Sequence, residues 1–227
     1  MLLEHDLSVS PAARAAQIWR HREQIEREAA AQFHQLAREL ASAGNSELAK
    51  RATRAALDEQ RHARRCRALV ESLVGPDVAP ADVPRRLTLG PATLSSRDRM
   101  LYAAVALGCV TESLSCALLL ELKEAAVHPL VQATVAEIVT DEIEHARIGW
   151  AVLAAEAALR DVAWLTQYLP VIAAAAIADD VQPMAGEVEL AGLGVLPRER
   201  VQALVAETWA TVISPGLARV GIRSGGG

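Results

Sequence analysis

Apolar residues recur every three or four positions through most of the chain, a pattern typical of amphipathic helices. Ser10 and Pro11 mark the start of the first helix, as a capping residue followed by proline at the first helical position. The Gly44-Asn45-Ser46 stretch ends that helix and caps the next, and His128-Pro129 marks a later corner. These signals predict four long helices, at about 11–43 (α1), 47–74 (α2), 96–126 (α3) and 129–160 (α4), and two shorter helical stretches at about 161–178 and 198–213.

The connections between the long helices differ in length. Short turns join α1 to α2 and α3 to α4, so each pair is expected to form an antiparallel hairpin. Residues 75–94, between the hairpins, hold four prolines and two glycines, which a helix would not tolerate. Two hairpins joined by a long crossover are the wiring of one class of four-helix bundle. We therefore predict an all-α, single-domain chain over 1–227, with a bundle core at about 11–160, additional C-terminal helices at about 161–213 and a disordered glycine tail at 223–227.

Composition and charge narrow the class of protein. With 52% hydrophobic and 22% charged residues the chain is of the folded globular type, and its net charge of −5 argues against a nucleic-acid partner. Cys66, Cys109 and Cys116 form no paired motif, and the first residues are acidic rather than basic, so we expect a cytoplasmic protein. The apolar stretches 101–120 and 162–178 are interrupted by a charged residue or a proline, so no membrane span is expected.

Glutamate and histidine interrupt the apolar stripes of two predicted helices. On α2 the core positions pass through Glu59 and His62, and on α4 they pass through Glu142 and His145. In both helices the histidine follows the glutamate by three residues, and the surrounding heptapeptides share D-E-x-x-H-A-R. The two predicted hairpins therefore resemble each other.

Single acids interrupt the stripes of the other two helices. Glu112 lies on the core face of α3, and on α1 the choice lies among Glu23, Glu26 and Glu28. The direction of the apolar face favours Glu26, whereas the depth measured from the turn slightly favours Glu28. At about 1.5 Å of rise per residue, the acids and histidines of all four helices lie at one level, near the middle of the bundle.

Four carboxylates in an apolar core need a source of compensating charge. Each costs several kcal/mol to bury unpaired, and no basic residue occupies the core positions of α2, α3 or α4. Two divalent metal ions would balance four glutamates, with one neutral imidazole donor each. A mixed oxygen and nitrogen donor set suits iron or manganese better than calcium or structural zinc. The alternative is a polar network or a set of buried salt bridges.

The pattern resembles the ferritin-like di-iron carboxylate superfamily, which includes ferritins, rubrerythrins, ribonucleotide reductase small subunits and bacterial multicomponent monooxygenases. The likeness covers about residues 11–160 and implies a ferritin-like bundle. It implies two iron ions, with manganese or a mixed pair left open, bound by Glu26, Glu59, His62, Glu112, Glu142 and His145. It further implies that Glu59 and Glu142 bridge the ions, and that Asp58 and Asp141 hydrogen-bond the ligand imidazoles.

Departures from each branch leave the activity open. Rubrerythrins usually carry a four-cysteine iron site and a further carboxylate three residues after the α3 glutamate, but this chain has three cysteines, and Ser115 at that position. Ferritin subunits are generally shorter, and neither Tyr102 nor Tyr168 lies beside a motif as a radical tyrosine would. Small residues near the predicted ions, such as Gly108 and Gly149, would either leave room for a substrate or allow close helix packing.

The resemblance implies an enzyme that activates O2 or peroxide and oxidises a small organic substrate, with electrons from a partner protein. Ferroxidase or iron-storage activity and rubrerythrin-like peroxide scavenging are the alternatives, and a non-catalytic, metal-stabilised helical module is a third. The alanine-rich faces of α1 and α3 leave a homodimer open. The cysteines are not expected to be metal ligands.

Overall fold

The bundle helices lie close to their predicted positions. The computed structural model describes residues 10–79 and 89–223, and within these residues the bundle comprises α1 Pro11–Ser42, α2 Ser46–Val74, α3 Ser96–Ala125 and α4 Pro129–Ala157. These bounds confirm the all-α fold and the two hairpins, and differ from the predicted ends by three residues or fewer. Most of the predicted disordered tail lies outside the described residues, as does the middle of the crossover between α2 and α3.

Side chains cap three of these helices at their first turns. The Ser10 hydroxyl accepts a hydrogen bond from the Ala13 amide at 3.2 Å, and Pro11 occupies the first turn of α1. The Asn45 side chain caps α2, and the Ser95 hydroxyl accepts from the Asp98 amide at 3.1 Å at the start of α3. Each cap satisfies an amide that has no partner within its helix. These local bonds explain why the helix starts were readable in the sequence.

The core is aliphatic and lies along the axis of the bundle. α1 packs against α2 over their length, α3 packs against α4, and the hairpins meet through α1–α3 and α2–α4 contacts. Trp19 and Phe33 of α1 are the large aromatic residues that are almost fully buried there. Around them, alanine and leucine fill the space between helices, which therefore approach closely.

The middle of α3 departs from regular α-helical geometry. Residues Val105–Thr111 form a π-helical segment between α-helical residues Ser96–Ala104 and Glu112–Ala125. Such a segment accommodates an extra residue, which turns the following part of the helix by about 100° relative to an uninterrupted α-helix. The periodicity of the sequence did not predict it.

The part of the chain after α4 packs along α1 and α3. It comprises a 3-10 turn Ala163–Tyr168, α5 Leu169–Ala175, a π-helical turn Ala176–Val181, 3-10 turns Gln182–Met184 and Val188–Leu193, α6 Arg198–Thr208, a π-helical turn Trp209–Ile213 and α7 Ser214–Ala218. The Trp19 indole donates a hydrogen bond to the Leu193 carbonyl at 2.9 Å, which ties this part to α1. The two predicted helical stretches are confirmed as helical, although neither is a continuous α-helix.

Two very short strands interrupt the helical C-terminal part. β1 Ala185–Gly186 and β2 Leu196–Pro197 pair in parallel, with Ala185 opposite Leu196. Two-residue strands carry no alternating pattern, so the sequence did not predict them.

Helix α3 is also the most apolar long helix in the described part of the chain. By length and hydropathy it could cross a bilayer, but 67% of its most apolar window is buried inside the protein. Such a buried fraction is typical of a central helix in a bundle.

Candidate metal centre

The six side chains predicted as metal ligands meet in the middle of the bundle. Each is at most 3% exposed to solvent. Their donor atoms form two groups, each within 4.8 Å: Glu26, Glu59, His62 and Glu142 in one, and Glu59, Glu112, Glu142 and His145 in the other. Glu59 and Glu142 belong to both groups, as expected for carboxylates that bridge two ions. The convergence is therefore as predicted, while metal binding by these residues stays a prediction.

The spacing of three residues explains the geometry on α2 and α4. Residues three apart share one face of an α-helix, so each histidine lies above its glutamate. His62 Nδ1 is 3.2 Å from Glu59 Oε2, and His145 Nδ1 is 3.2 Å from Glu142 Oε2. The two imidazole rings lie 5.7 Å apart. The repeated heptapeptide thus places the same pair of donors twice, facing each other across the core.

Each aspartate of the repeat lies near the histidine of the opposite helix. His62 Nε2 is 3.0 Å from Asp141 Oδ2, whereas His145 Nε2 is 3.7 Å from Asp58 Oδ2. Donation from Nε2 to Asp141 leaves His62 Nδ1 directed at the carboxylates, where it can bind a cation. The predicted hydrogen bond therefore forms at Asp141, while at Asp58 the distance is too long for one.

A single arginine joins the two aspartates. The Arg61 guanidinium donates to Asp58 at 2.7 Å and to Asp141 at 2.6 Å. It is about one-third exposed, so it connects the histidine side of the site to the protein surface. Its partners lie on both α2 and α4, and the heptapeptide alone did not reveal this pairing.

Sequence reasoning missed the role of Arg22 at the cluster. Arg22 is 4% exposed; its Nε donates to Glu26 Oε1 at 2.9 Å, and its Nη2 donates to Ser115 at 3.1 Å. The core positions of α2, α3 and α4 carry no basic residue, but α1 contributes the Arg22 guanidinium. One guanidinium cannot by itself balance four carboxylates. The sequence feature that could have revealed this role is an arginine on the apolar stripe of α1.

Three acids of α1 were candidates, and the structure places Glu26 in the cluster. Glu23 is fully buried but pairs with Arg27 at 2.7 Å, and Glu28 accepts a hydrogen bond from Gln24 at 2.9 Å. Neither Glu23 nor Glu28 belongs to the two donor groups found among the described residues. The direction of the apolar face was therefore a better guide than depth along the helix.

The clustered carboxylates lie close enough to repel one another, and this repulsion and their burial shift their pKa values. Burial, together with the charges of Glu142 and Glu26, raises the pKa of Glu59 to about 7. Burial and the charge of Glu142 also raise the pKa of Glu112 well above its usual range. Burial opposes the charged form of Glu26, but its interactions with His62 and Arg22 outweigh this and lower its pKa to about 2. Crowded carboxylates of this kind need cations or protons between them.

The carboxylates in turn favour the protonated form of the two histidines. Burial lowers the pKa of His62, but its interactions with Glu26 and Glu59 outweigh burial and raise it to about 12. In the same way, the pKa of His145 is raised to about 10. Protons held at these positions mark where a divalent cation would be electrostatically favoured.

The donor set fits two divalent ions of the iron or manganese kind. Each group offers three carboxylates and one imidazole, a mixed oxygen and nitrogen set. Glu59 Oε1 lies 2.9 Å from His145 Nδ1 without a well-directed hydrogen bond, so a cation would satisfy this buried oxygen better than the imidazole does. No thiol takes part among the described residues, since Cys66, Cys109 and Cys116 lie outside both groups.

The small residues beside the cluster serve close packing. A Cβ added at Gly108 would lie 2.6 Å from the Gly149 Cα, and one added at Gly149 would lie 2.6 Å from the Ala104 carbonyl oxygen. The sequence left open whether these glycines give room for a substrate or allow close helix packing. The structure shows close packing, because they bring α3 and α4 together and leave no space between them.

A small cavity of about 30 Å³ adjoins the cluster. Its wall includes carboxylate side chains from both donor groups and Arg22, and it is closed by Val181 and Met184 from the C-terminal part. This is room for roughly two water molecules or one molecule of the size of O2. The residues after α4 therefore enclose the site.

A helical bundle that assembles this buried set of glutamates and histidines defines a ferritin-like di-iron carboxylate protein. The family model described as Rubrerythrin matches residues 24–150, more than half of the chain, and includes all six clustered residues. The chain belongs to the rubrerythrin family, whose members bind di-iron centres. Comparison with curated proteins gave no significant match, and comparison with solved structures gave none either.

Proposed function

We propose that this chain is a dinuclear iron oxidoreductase that activates O2 or peroxide and oxidises a small organic substrate. The observation that carries the proposal is the cavity of about 30 Å³ beside the cluster, enclosed by residues after α4. Its size admits a diatomic oxidant, and its closure by Val181 and Met184 limits access of water.

Two iron ions would be held by the two donor groups, with manganese or a mixed pair as the alternative occupants. Such ions supply the electrons and coordination sites for reducing O2 or peroxide. Arg22 holds one oxygen of Glu26 through a hydrogen bond of 2.9 Å and leaves the other for a cation. Asp141 keeps the Nε2 proton of His62, so that its Nδ1 is free to bind. These contacts orient the donors before any cation binds.

The reducing electrons are proposed to come from a separate donor protein, because the three cysteines of this chain cannot form a four-cysteine iron site. A cytoplasmic location, and a homodimer through the alanine-rich faces, remain parts of the proposal. No nucleic-acid or membrane partner is proposed.

Peroxide scavenging is the second candidate, and the family match favours it. Full-length protein should be loaded with Fe(II) without air, analysed for iron, and mixed with O2 or with hydrogen peroxide while absorbance is followed. We expect two iron ions per chain and reaction with either oxidant. Preference for peroxide without oxidation of any added organic compound would favour scavenging, and uptake of many ions per chain would favour storage.

A matched pair of variants on α2 makes the test specific. Glu59→Ala should abolish binding of both ions, because Glu59 belongs to both donor groups. Glu47→Ala, at an exposed position of the same helix, should bind iron as the unmodified protein does. Two bound ions with no reaction toward either oxidant would refute the oxidoreductase and leave the metal-stabilised module.

A further inference from the structure

The cavity of about 30 Å³ beside the metal cluster has a permanent positive charge in its wall. Arg22, which is 4% exposed, lines this space together with the four clustered glutamates. A guanidinium stays protonated in proteins, so the charge of Arg22 is present whether or not metal ions are bound. This charge therefore influences which molecules the space can hold.

Arg22 does not use its full capacity for hydrogen bonding. A guanidinium has five N–H groups. Arg22 Nε donates to Glu26 Oε1 at 2.9 Å, and Nη2 donates to the Ser115 hydroxyl at 3.1 Å. Nη1 donates to the sulfur of Met184 at 3.5 Å, and a thioether is a weak acceptor. The contacts with described residues thus leave one N–H on each terminal nitrogen without an acceptor. Because buried donors are normally paired, an acceptor in the adjoining cavity is indicated.

Two divalent ions in the cluster would leave the site with excess positive charge. Ligand carboxylates are ionised and ligand imidazoles are neutral, so two such ions balance the four glutamates and the charge of Arg22 remains. Further acids close to the cluster are already paired with arginines: Glu23 with Arg27, Asp58 with Arg54 and Asp141 with Arg61. A buried charge without a counter-charge is unfavourable, and a bound anion would supply one.

We propose that this cavity binds a small monoanion of two or three heavy atoms, held by the Arg22 guanidinium beside the loaded metal cluster. The volume sets the size of the anion, because it holds roughly two water molecules. The inference rests on the proposed function in requiring two bound ions, but not on the reaction that these ions perform. An anion in this cavity takes up the space available to O2 or peroxide, and would compete with either oxidant.

Binding is measured by titration calorimetry with formate and formamide, which have nearly the same size and shape but differ in charge. Full-length protein is loaded with Fe(II) in the absence of oxygen, and elemental analysis first verifies two ions per chain. Formate should bind at least about tenfold more tightly than formamide, because only formate carries a charge opposite to that of Arg22. Metal-free protein should bind formate at least about tenfold more weakly, because no ions then balance the clustered carboxylates.

Variants of Arg22 test whether this residue is responsible. Arg22→Gln removes the charge but keeps a donor for Glu26. It should weaken formate binding by about tenfold or more and change formamide binding by less than about threefold. Arg22→Lys keeps a positive charge and should bind formate about threefold or more tightly than Arg22→Gln. Arg147→Gln, which alters an exposed arginine of α4, should bind formate as the unmodified protein does.

Equal binding of formate and formamide by the unmodified, loaded protein would overturn the inference. Formate binding that is unchanged in Arg22→Gln, or equally tight in the metal-free protein, would overturn it as well. If Arg22→Gln does not retain two ions, the two probes on the unmodified protein decide, since that comparison needs no variant.

The inference and the proposed function fail in different ways. Because no oxidant is present, preference for formate in a protein inert to O2 and peroxide would refute the proposed function alone. Oxidation of organic compounds by a protein that does not distinguish formate from formamide would refute the inference alone. Fewer than two ions per chain would overturn both, and elemental analysis shows this before any titration.

Discussion

Helices α3 and α4 approach so closely at Gly149 that no side chain fits there. A methyl group there would lie 2.6 Å from the Ala104 carbonyl oxygen and from the Gly108 Cα, and 2.7 Å from the Cys109 nitrogen. All three are backbone atoms, so no side-chain rotation can relieve the contacts. We predict that Gly149→Ala forces the two helices apart and destabilises the protein.

The magnitude follows from two opposing effects. Ordinary contact begins at 3.4 Å, so the helices must separate by roughly 0.8 Å at this point. Overpacking of a core costs about 1–3 kcal/mol, and the upper end applies because three backbone contacts are strained together. Alanine in place of glycine gains about 1 kcal/mol of helix propensity. The net loss is therefore about 2 kcal/mol, which lowers the melting temperature by about 4–8 °C for a chain of this size.

Thermal unfolding of the metal-free protein, followed by circular dichroism, measures the change. Ala154→Gly, at an exposed position of α4, is the matched control, and should cost about 1 kcal/mol through helix propensity alone. Iron content should also fall in Gly149→Ala, because Glu112 and Glu142 lie on the two helices that move apart. A Gly149→Ala protein that melts at or above the temperature of the unmodified chain would show that the close approach is not rigid, and the reasoning would be wrong.

Three further changes test the site and its surroundings. Glu112→Ala should lose one of two metal ions by elemental analysis, because Glu112 belongs to one donor group only; retention of both would contradict its assignment. Asp141→Asn should weaken iron binding by about 10- to 100-fold in competition with a chelator, because the 3.0 Å partner of His62 is altered, and unchanged affinity would exclude this role. Burial opposes ionisation of Glu156, but hydrogen bonds from two arginines outweigh burial and lower its pKa. The ionised Glu156 therefore stabilises the folded protein above about pH 4.3, and this stabilisation is lost as the pH falls through the lowered pKa. Glu156→Gln should thus cost about 1–3 kcal/mol in denaturant unfolding at pH 7 and less at pH 3, and a difference independent of pH would count against the ion pairs.

The long helices were predictable because their signals are local. Ser10, Asn45 and Ser95 cap helices within their own first turns, and the spacing of apolar residues depends only on the helical repeat. The convergence of the glutamates and histidines was predictable for the same reason. Glu59 and His62 share a helix face whatever the helix packs against, and the second copy of the heptapeptide repeats that face.

Contacts between distant parts of the chain were not predictable in this way. Arg22 was visible as an arginine on an apolar stripe, but its pairing with Glu26 and Ser115 depends on how α1 meets α3. The crossed pairing of Asp141 with His62 likewise depends on the register between α2 and α4.

From the amino-acid sequence came the helices, their order, and the six residues that would meet if the helices formed a bundle. Folding in three dimensions settled how closely α3 and α4 approach, where α3 takes up its π-helical turn, and how the residues after α4 enclose the cluster. Helical periodicity and capping act over a few residues and are written in the local sequence. Cavities and crossed hydrogen bonds are formed by side chains far apart in the sequence, such as Arg22 and Met184, and exist only once the helices have packed.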